Sequence, residues 1–416
     1  MVLFLRPTES LTVFLQQLGR GLRHAPGKDC LTVLDFVGQT HRKYRLDTKF
    51  KALLSRQRQR IDSEIENDFP NLPPGCSIIL ERIARERILQ KIKTVLNDLQ
   101  QFIPETIQTW DSRSSLPLTF GNFIEETGLS PIDVLKKKTW TQWKSVSTNQ
   151  PPPDDHDLNE GRKALIRLAT RSDPEFLSAV EDVANAVNVQ ETAEKYGSSM
   201  GTALHYTMWG QKAAKVGVSN IQESLEKWSS NQSIARDAKE IVIWRKRIQP
   251  YPLREIKLPF SCFLKLHAAY DIREINAALR QNSLETPGQT GVGVLHNSEL
   301  KVYAHLVTFR KVEKDFTPTT LYKDYPISLV QLHWESQSTA TQSTPTGQNY
   351  IHFKKRGYTI LFFARLEKQI DGVAAPFVYL GPTSQLLSYE GNRPIRMVWE
   401  LEYPMPAALF EEARPS

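Results

Sequence analysis

Cysteine is scarce in these 416 residues: Cys30, Cys76 and Cys262 stand far apart. No Cys-x-x-Cys pair is available to hold zinc or to cycle between thiol and disulfide, and so few cysteines suit a reducing cytoplasm. Long apolar runs are missing too. The opening run Met1–Leu5 ends at Arg6, too short for a signal peptide or a membrane span, so a cytoplasmic chain with no membrane partner is expected. There is no G-x-x-x-x-G-K-[ST] phosphate loop and no strand followed by Asp-Glu that could serve as its magnesium-holding counterpart. A complete nucleotide-hydrolysing site is therefore excluded from this sequence, and no ATPase activity is expected from the chain alone. No grouping of His, Asp and Glu suggests a metal. The net charge is +7, which mildly favours a polyanionic partner.

What the sequence does hold begins at Gln16-Gln17-Leu18-Gly19-Arg20-Gly21-Leu22-Arg23. Apolar runs flank it, Met1–Leu5 before and Leu31–Phe36 after, and short runs of this kind read as buried parallel strands. Between them Leu11, Phe14, Leu15, Leu18 and Leu22 follow a helical period, with Ser10 as the N-cap. Arg20 and Arg23 then share one helix face near its C-terminal end. Two guanidiniums so placed suit a polyphosphate, because each presents a planar fork of donors. Gly19 costs roughly 1 kcal/mol inside a helix relative to alanine, so its use implies a close approach.

Gln16-x-x-Gly19-Arg20-x-x-Arg23 resembles motif VI of superfamily 2 (DEAD/DEAH-like) helicases and translocases, and Phe4–Ser10 resembles the segment leading into it. The resemblance implies that Gln16, Gly19, Arg20 and Arg23 border a nucleotide and that Arg20 and Arg23 are its catalytic arginines. It makes residues 1–40 the C-terminal remnant of a second RecA-like motor domain. ATP and Mg2+ would be held mainly by a first motor domain, expected upstream of Met1.

Residues 41–150 read as helices. Phe50, Leu53, Leu54, Ile61 and Ile65 form one stripe, and Ile88, Ile92, Val95, Leu96 and Leu99 another. Arg56, Arg58 and Arg60 are either phosphate contacts or a solvated helix face. Ser130-Pro131-Ile132-Asp133 is a helix start, and Trp140 and Trp143 read as core. Pro151-Pro152-Pro153-Asp154-Asp155 sets a linker at 151–157. A helical connector is expected over 158–250. It has a helix starting at Asp173-Pro174 with Leu177, Val180, Ala184 and Val187 on its face, a capping box at Ser219 and Gln222, and a packed His205.

Beyond residue 250 the period changes from helical to strand-like, and 251–410 reads as a β-rich domain. Asp271-Ile272-Arg273-Glu274 caps one helix. Strands are expected at Gly291–Leu295, Val302–Phe309 and Ile395–Tyr403. Tyr350–Phe353 and Tyr358–Ala364 are expected to pair as a hairpin with Lys354, Lys355 and Arg356 at its tip. The expected fold class is thus α+β: a RecA-like α/β remnant, a helical connector and a β-barrel-like domain with a capped helix.

This last region carries Tyr270–Ile275, Phe316-Thr317-Pro318-Thr319-Thr320-x-Tyr322-x-Asp324-Tyr325, His333-Trp334-x-Ser336-Gln337, Gly347-Gln348-x-Tyr350-Ile351 and Tyr379-Leu380-Gly381 in that order. Together they resemble the uncharacterised C-terminal domain found behind superfamily 2 helicases that carry a phospholipase-D-like nuclease. Asp271-Ile272 departs from the Thr-Arg expected there. The duplicated His-Lys catalytic motif of that nuclease is absent. The resemblance implies DNA as partner, with modified cytosine as the base read, and motor and nuclease domains supplied in cis or in trans. A flipped base needs aromatic faces and polar edges. His333, Trp334, Ser336, Gln337, Gln348 and Tyr350 offer both, and Lys354, Lys355 and Arg356 offer phosphate contacts. Trp334 and Tyr350 are equally open to a core role.

The function expected is the C-terminal portion of an NTP-dependent DNA helicase or translocase with a target-recognition domain, from a methylation-dependent restriction or anti-phage system. Two alternatives stay open: a helicase fragment for repair or RNA remodelling whose β-domain binds protein, and a truncated inactive remnant.

Overall fold

The computed structural model describes residues 2–4, 16, 31–35, 65, 78–82, 85–86, 88–89, 99–185, 189–310 and 324–414. The chain divides into two compact units, Met1–Asp154 and Asp155–Ser416, and the division falls within the proline-rich stretch.

In the first unit, β1 (Val2–Phe4) and β2 (Val33–Asp35) pair in parallel, Val2 opposite Val33, as the two apolar runs suggested. Of the segment between them, Gln16 is helical and exposed; Gly19, Arg20 and Arg23 lie outside the described residues. Ile65 and Ile88 are buried, while Phe50, Leu53, Leu54, Ile61, Ile92, Val95, Leu96 and the Arg56–Arg60 cluster lie outside them too. The helices that follow have local causes. Thr119 caps Phe120–Thr127, which ends at Gly128 with φ +61°. Thr139 and Gln142 form a reciprocal capping box at the start of Trp140–Ser147. Pro131 opens Pro131–Leu135. Trp140 and Trp143 are core, as expected: Trp140 lies 4.9 Å from Phe123 between ring centres, and Trp143 Nε1 donates to the Val134 carbonyl at 2.8 Å.

The second unit begins with helices Leu158–Leu168, Pro174–Asn185, Val189–Trp209, Ile221–Ser229 and Gln232–Arg247. Asp173 Oδ1 accepts from the Glu175 and Phe176 amides, so this helix starts where expected. Leu177, Val180 and Ala184 are buried; Val187 lies outside the described residues. The capping box expected at Ser219 and Gln222 is replaced by a single cap one residue on, at Asn220. Asn220 accepts from the Glu223 amide, and Glu223 reaches back to the Ser219 amide at 2.7 Å. Asparagine caps as well as serine does, and the glutamate reaches past the cap to the preceding amide, so no reciprocal box forms.

The strands of this unit are β3 (Ala269–Tyr270), β4 (Val294–Asn297), β5 (Val302–Thr308), β6 (Tyr325–Pro326), β7 (Gln331–Glu335), β8 (Thr359–Arg365), β9 (Gln369–Ile370), β10 (Val373–Ala374), β11 (Phe377–Glu390) and β12 (Arg396–Leu401). β9 and β10 form a small hairpin. The others make one curled mixed sheet, a half-barrel in the order β4-β5-β8-β11-β12-β7-β6, with β3 on β11. Only β5 and β8 run parallel; the remaining pairs are antiparallel.

Period-two alternation on β8 and β5 builds a core on each face of the sheet. Ile360, Phe362 and Ala364 of β8 join Tyr303, Trp334, Tyr350, Met397 and Trp399 on one face. Leu361 and Phe363 join Val302, Ala304, Tyr379 and the capped helix Ile272–Ala278 on the other. The long strand β11 shifts register between Tyr379 and Gly381. Gly381 sits there at φ +90°, where a Cβ would meet Leu266 Cδ1 at 2.9 Å, so a bulge with no side chain is needed.

The expected basic-tipped hairpin is corrected. Tyr350 belongs to a helix, Pro345–Ile351, capped by Thr344 through the Gly347 amide. A turn carrying Lys354–Gly357 leads from it into β8, whose pairing partner is β5. Thr344-Pro345 is a helix start, and that local chemistry outweighs the β-leaning residues downstream.

The helices and the half-barrel share a buried polar junction. Arg171 and Glu274 are 2% and 1% exposed and pair at 2.6 Å. The same Glu274 oxygen accepts from Thr207 Oγ1 at 2.6 Å, and its other oxygen takes the Asp271 amide. Tyr270 donates its hydroxyl to Asp173, and Ser172 Oγ takes the Ala269 amide. Burial raises the pKa of both Glu274 and Asp173, with the Arg171 charge pulling Glu274 back down.

Candidate nucleic-acid interface

Of the side chains expected to read a base, two sit at the heart of the half-barrel. Trp334 is 3% exposed and Tyr350 is fully buried. The Trp334 ring stacks on His305, centres 3.9 Å apart and planes 8° apart. Tyr350 meets Trp334 edge-on at 5.4 Å and donates its hydroxyl to Gln337 Oε1 at 3.2 Å. Burial pushes the Tyr350 hydroxyl well above its usual range. Ser336 is buried; its oxygen takes the Ile395 amide. Gln348 donates to the Gln342 carbonyl. Trp334, Tyr350, Gln337 and Ser336 are therefore brought together, as interior structure tying β7 to the Pro345–Ile351 helix.

His333 is not with them. Strand alternation turns it to the opposite face from Trp334, where it stacks on Tyr325 at 4.6 Å. His305, which the sequence reading passed over, is fully buried, and both its ring nitrogens lack a hydrogen-bond partner. Burial lowers its pKa from 6.5 to about 3, so the ring is neutral.

The open chemistry lies at the end of the half-barrel where β4, β5 and β8 meet the basic turn. Lys354, Lys355 and Arg356 are exposed there. Lys301, at the start of β5, is a fourth exposed cation beside them: a methyl at Gly357 would lie 3.8 Å from its Nζ. Glu299 is exposed on the preceding turn. Among the described residues none of the four cations is in an ion pair. Arg356 Nη1 donates to Asn349 Oδ1 at 2.9 Å, and Asn349 Nδ2 donates to the Tyr303 hydroxyl at 3.0 Å. Upon Tyr303 lies the exposed ring of His296, centres 4.0 Å apart and planes 8° apart, and Tyr358 flanks both at 5.9 and 5.2 Å.

A cluster of cations unpaired among the described residues, beside the exposed ring of His296 seated on buried Tyr303, can hold a polyanion by charge and a base by stacking. His296, Tyr303, Tyr358 and Lys301 were missed in the sequence because three separate segments supply them. No short motif marks them: the pairing of β5 with β8, which places Lys301 next to Thr359, appears only in the fold. Among the described residues no group of three or more His, Cys, Asp or Glu side chains could hold a metal ion. No helix among them is long and apolar enough to cross a membrane.

Residues 264–413 match a protein family described as a domain of unknown function (DUF3427). The match begins within the half-barrel's first segment and includes the whole curled sheet. No curated protein matches the chain.

Proposed function

We propose that this chain is the C-terminal portion of an NTP-dependent DNA helicase or translocase, of the kind used in methylation-dependent restriction or phage defence, and that its half-barrel domain binds DNA. The observation that carries the reading is the convergence of Lys301, Lys354, Lys355 and Arg356, all exposed and without ion-pair partners among the described residues, beside the exposed ring of His296 stacked on Tyr303. Four exposed cations on one surface cost self-repulsion, and a phosphate backbone relieves it. Support also comes from Gln16-x-x-Gly19-Arg20-x-x-Arg23 lying between two strands that pair in parallel, and from the domain match over 264–413.

In this reading Arg20 and Arg23 face the phosphates of ATP-Mg2+ held by another motor domain, in cis or in trans. The bound nucleotide would supply the free energy for movement. The arginines would hold charge on its terminal phosphate. The half-barrel would grip the track.

Binding of the full chain to duplex DNA, with and without modified cytosine, at several salt concentrations tests the DNA-binding part. Salt-sensitive binding to both supports it, and tighter binding to modified DNA supports the restriction role. No binding at low salt rejects it and favours a protein-docking domain. For the motor part, Arg23→Ala in the assembly that hydrolyses ATP should lower kcat far more than it weakens ATP binding; unchanged turnover rejects the motif assignment.

A further inference from the structure

We propose that His296, seated on Tyr303 and flanked by Tyr358, is a stacking platform for an unpaired nucleobase. The inference rests on the nucleic-acid reading above and deepens it: the preferred substrate of this surface is single-stranded or base-extruded nucleic acid, with intact duplex bound more weakly through its phosphates alone.

The geometry is that of a pedestal. Tyr303 is 3% exposed and is held from both ends, its ring edge-on to Tyr350 at 5.0 Å and its hydroxyl by Asn349. The His296 ring lies flat on it with one face covered and the residue exposed. A ring already fixed from below loses little freedom when a second ring settles above it. Partial burial lowers the His296 pKa, which keeps the ring neutral at pH 7. It is therefore suited to stack on a base rather than to act as a fifth cation.

The chemistry on each side of the platform suits one nucleotide chain. Arg356 is tied through Asn349 to the pedestal itself, so a phosphate contact and a base contact are built into one hydrogen-bonded unit. Lys301, Lys354 and Lys355 extend the charge along the surface. An acidic peptide would satisfy the cations and leave the flat ring unused. In a duplex, base faces are already stacked; only an unpaired or flipped base can present one. Trp334 and Tyr350, the more conspicuous aromatics, have both faces packed inside the domain, which leaves the platform to the less conspicuous histidine.

The test uses the full chain and three labelled probes at low salt: a thymidine oligonucleotide, an abasic oligonucleotide of the same length and charge, and a matching duplex. The thymidine strand should bind about tenfold more tightly than the abasic strand, the gain expected of one stacked base, and more tightly than the duplex. His296→Ala, whose melting temperature should match that of the parent because the residue is exposed, should erase that gap. It should leave the weak, salt-sensitive binding in place, and His296→Phe should restore the gap. Equal binding of thymidine and abasic strands overturns the platform while leaving the nucleic-acid reading intact. A gap that survives His296→Ala overturns it as well, by putting the base elsewhere. Failure of all three probes to bind overturns the underlying reading.

Discussion

Acidification should loosen the half-barrel through one side chain, His305. Its ring is fully buried among Trp334, Tyr350, Phe362 and Trp399, with neither nitrogen hydrogen-bonded. Its pKa falls from 6.5 to about 3 because burial penalises the imidazolium. A histidine with a depressed folded-state pKa stabilises the fold fully above 6.5, where both states are neutral. That contribution drains away as pH falls from 6.5 toward 3, because the unfolded chain takes up the proton first. Linkage then gives a loss of about 2 kcal/mol at pH 5 relative to pH 8 from this residue alone. Urea unfolding of the full chain at pH 8 and pH 5, for wild type and His305→Phe, isolates it. Other acid-sensitive groups, such as His205, His267 and the buried carboxyls, contribute alike to both proteins and cancel in the difference. The wild type should lose about 2 kcal/mol more than His305→Phe between the two pH values. Parallel losses would refute the reasoning, whatever the fixed cost of fitting phenylalanine into the site.

Glu274→Ala should destabilise the second unit by about 3–5 kcal/mol, because it takes from buried Arg171 its 2.6 Å partner and leaves only Asp271 at 3.9 Å; a loss under about 1 kcal/mol in urea unfolding would mean the pair is not buried in solution. Gly347→Ala should cost more than about 2 kcal/mol, since a Cβ there would lie 1.9 Å from the Thr341 carbonyl oxygen, and an unchanged melting temperature would contradict the packing of that helix. Limited proteolysis should cut first between about Val146 and Leu158, where the chain passes from one compact unit to the other through Pro151–Pro153. Earlier cleavage within β7, β8 or β12 would contradict a compact half-barrel.

Much of the fold could be read from local signals. Asp271 with Glu274, Asp173 before Pro174, and the alternation of Met397, Trp399 and Leu401 each state their own structure. The expected hairpin fails at Thr344-Pro345, which begins a helix and takes Tyr350 and Ile351 out of the β-leaning run that follows. The site was harder. Trp334 and Tyr350 have a reader's chemistry, but whether an aromatic faces solvent depends on which strands cover it, and that is set by pairings far apart in sequence. The pairing of β5 with β8 that brings Lys301 beside the basic turn, and the stacking of His296 on Tyr303, have no sequence signature. The junction joining Arg171 to Glu274 spans 103 residues, so it too was invisible.

The central claim, that this surface grips a phosphate backbone, is tested most directly by one salt titration. Binding of the full chain to duplex DNA would be measured from low to moderate salt, beside a variant with Lys301, Lys354, Lys355 and Arg356 all changed to alanine. The account predicts that the plot of log affinity against log salt is steep for the wild type and shallower by about 3–4 in the variant, one phosphate contact being lost per cation. Identical slopes for the two proteins would contradict it.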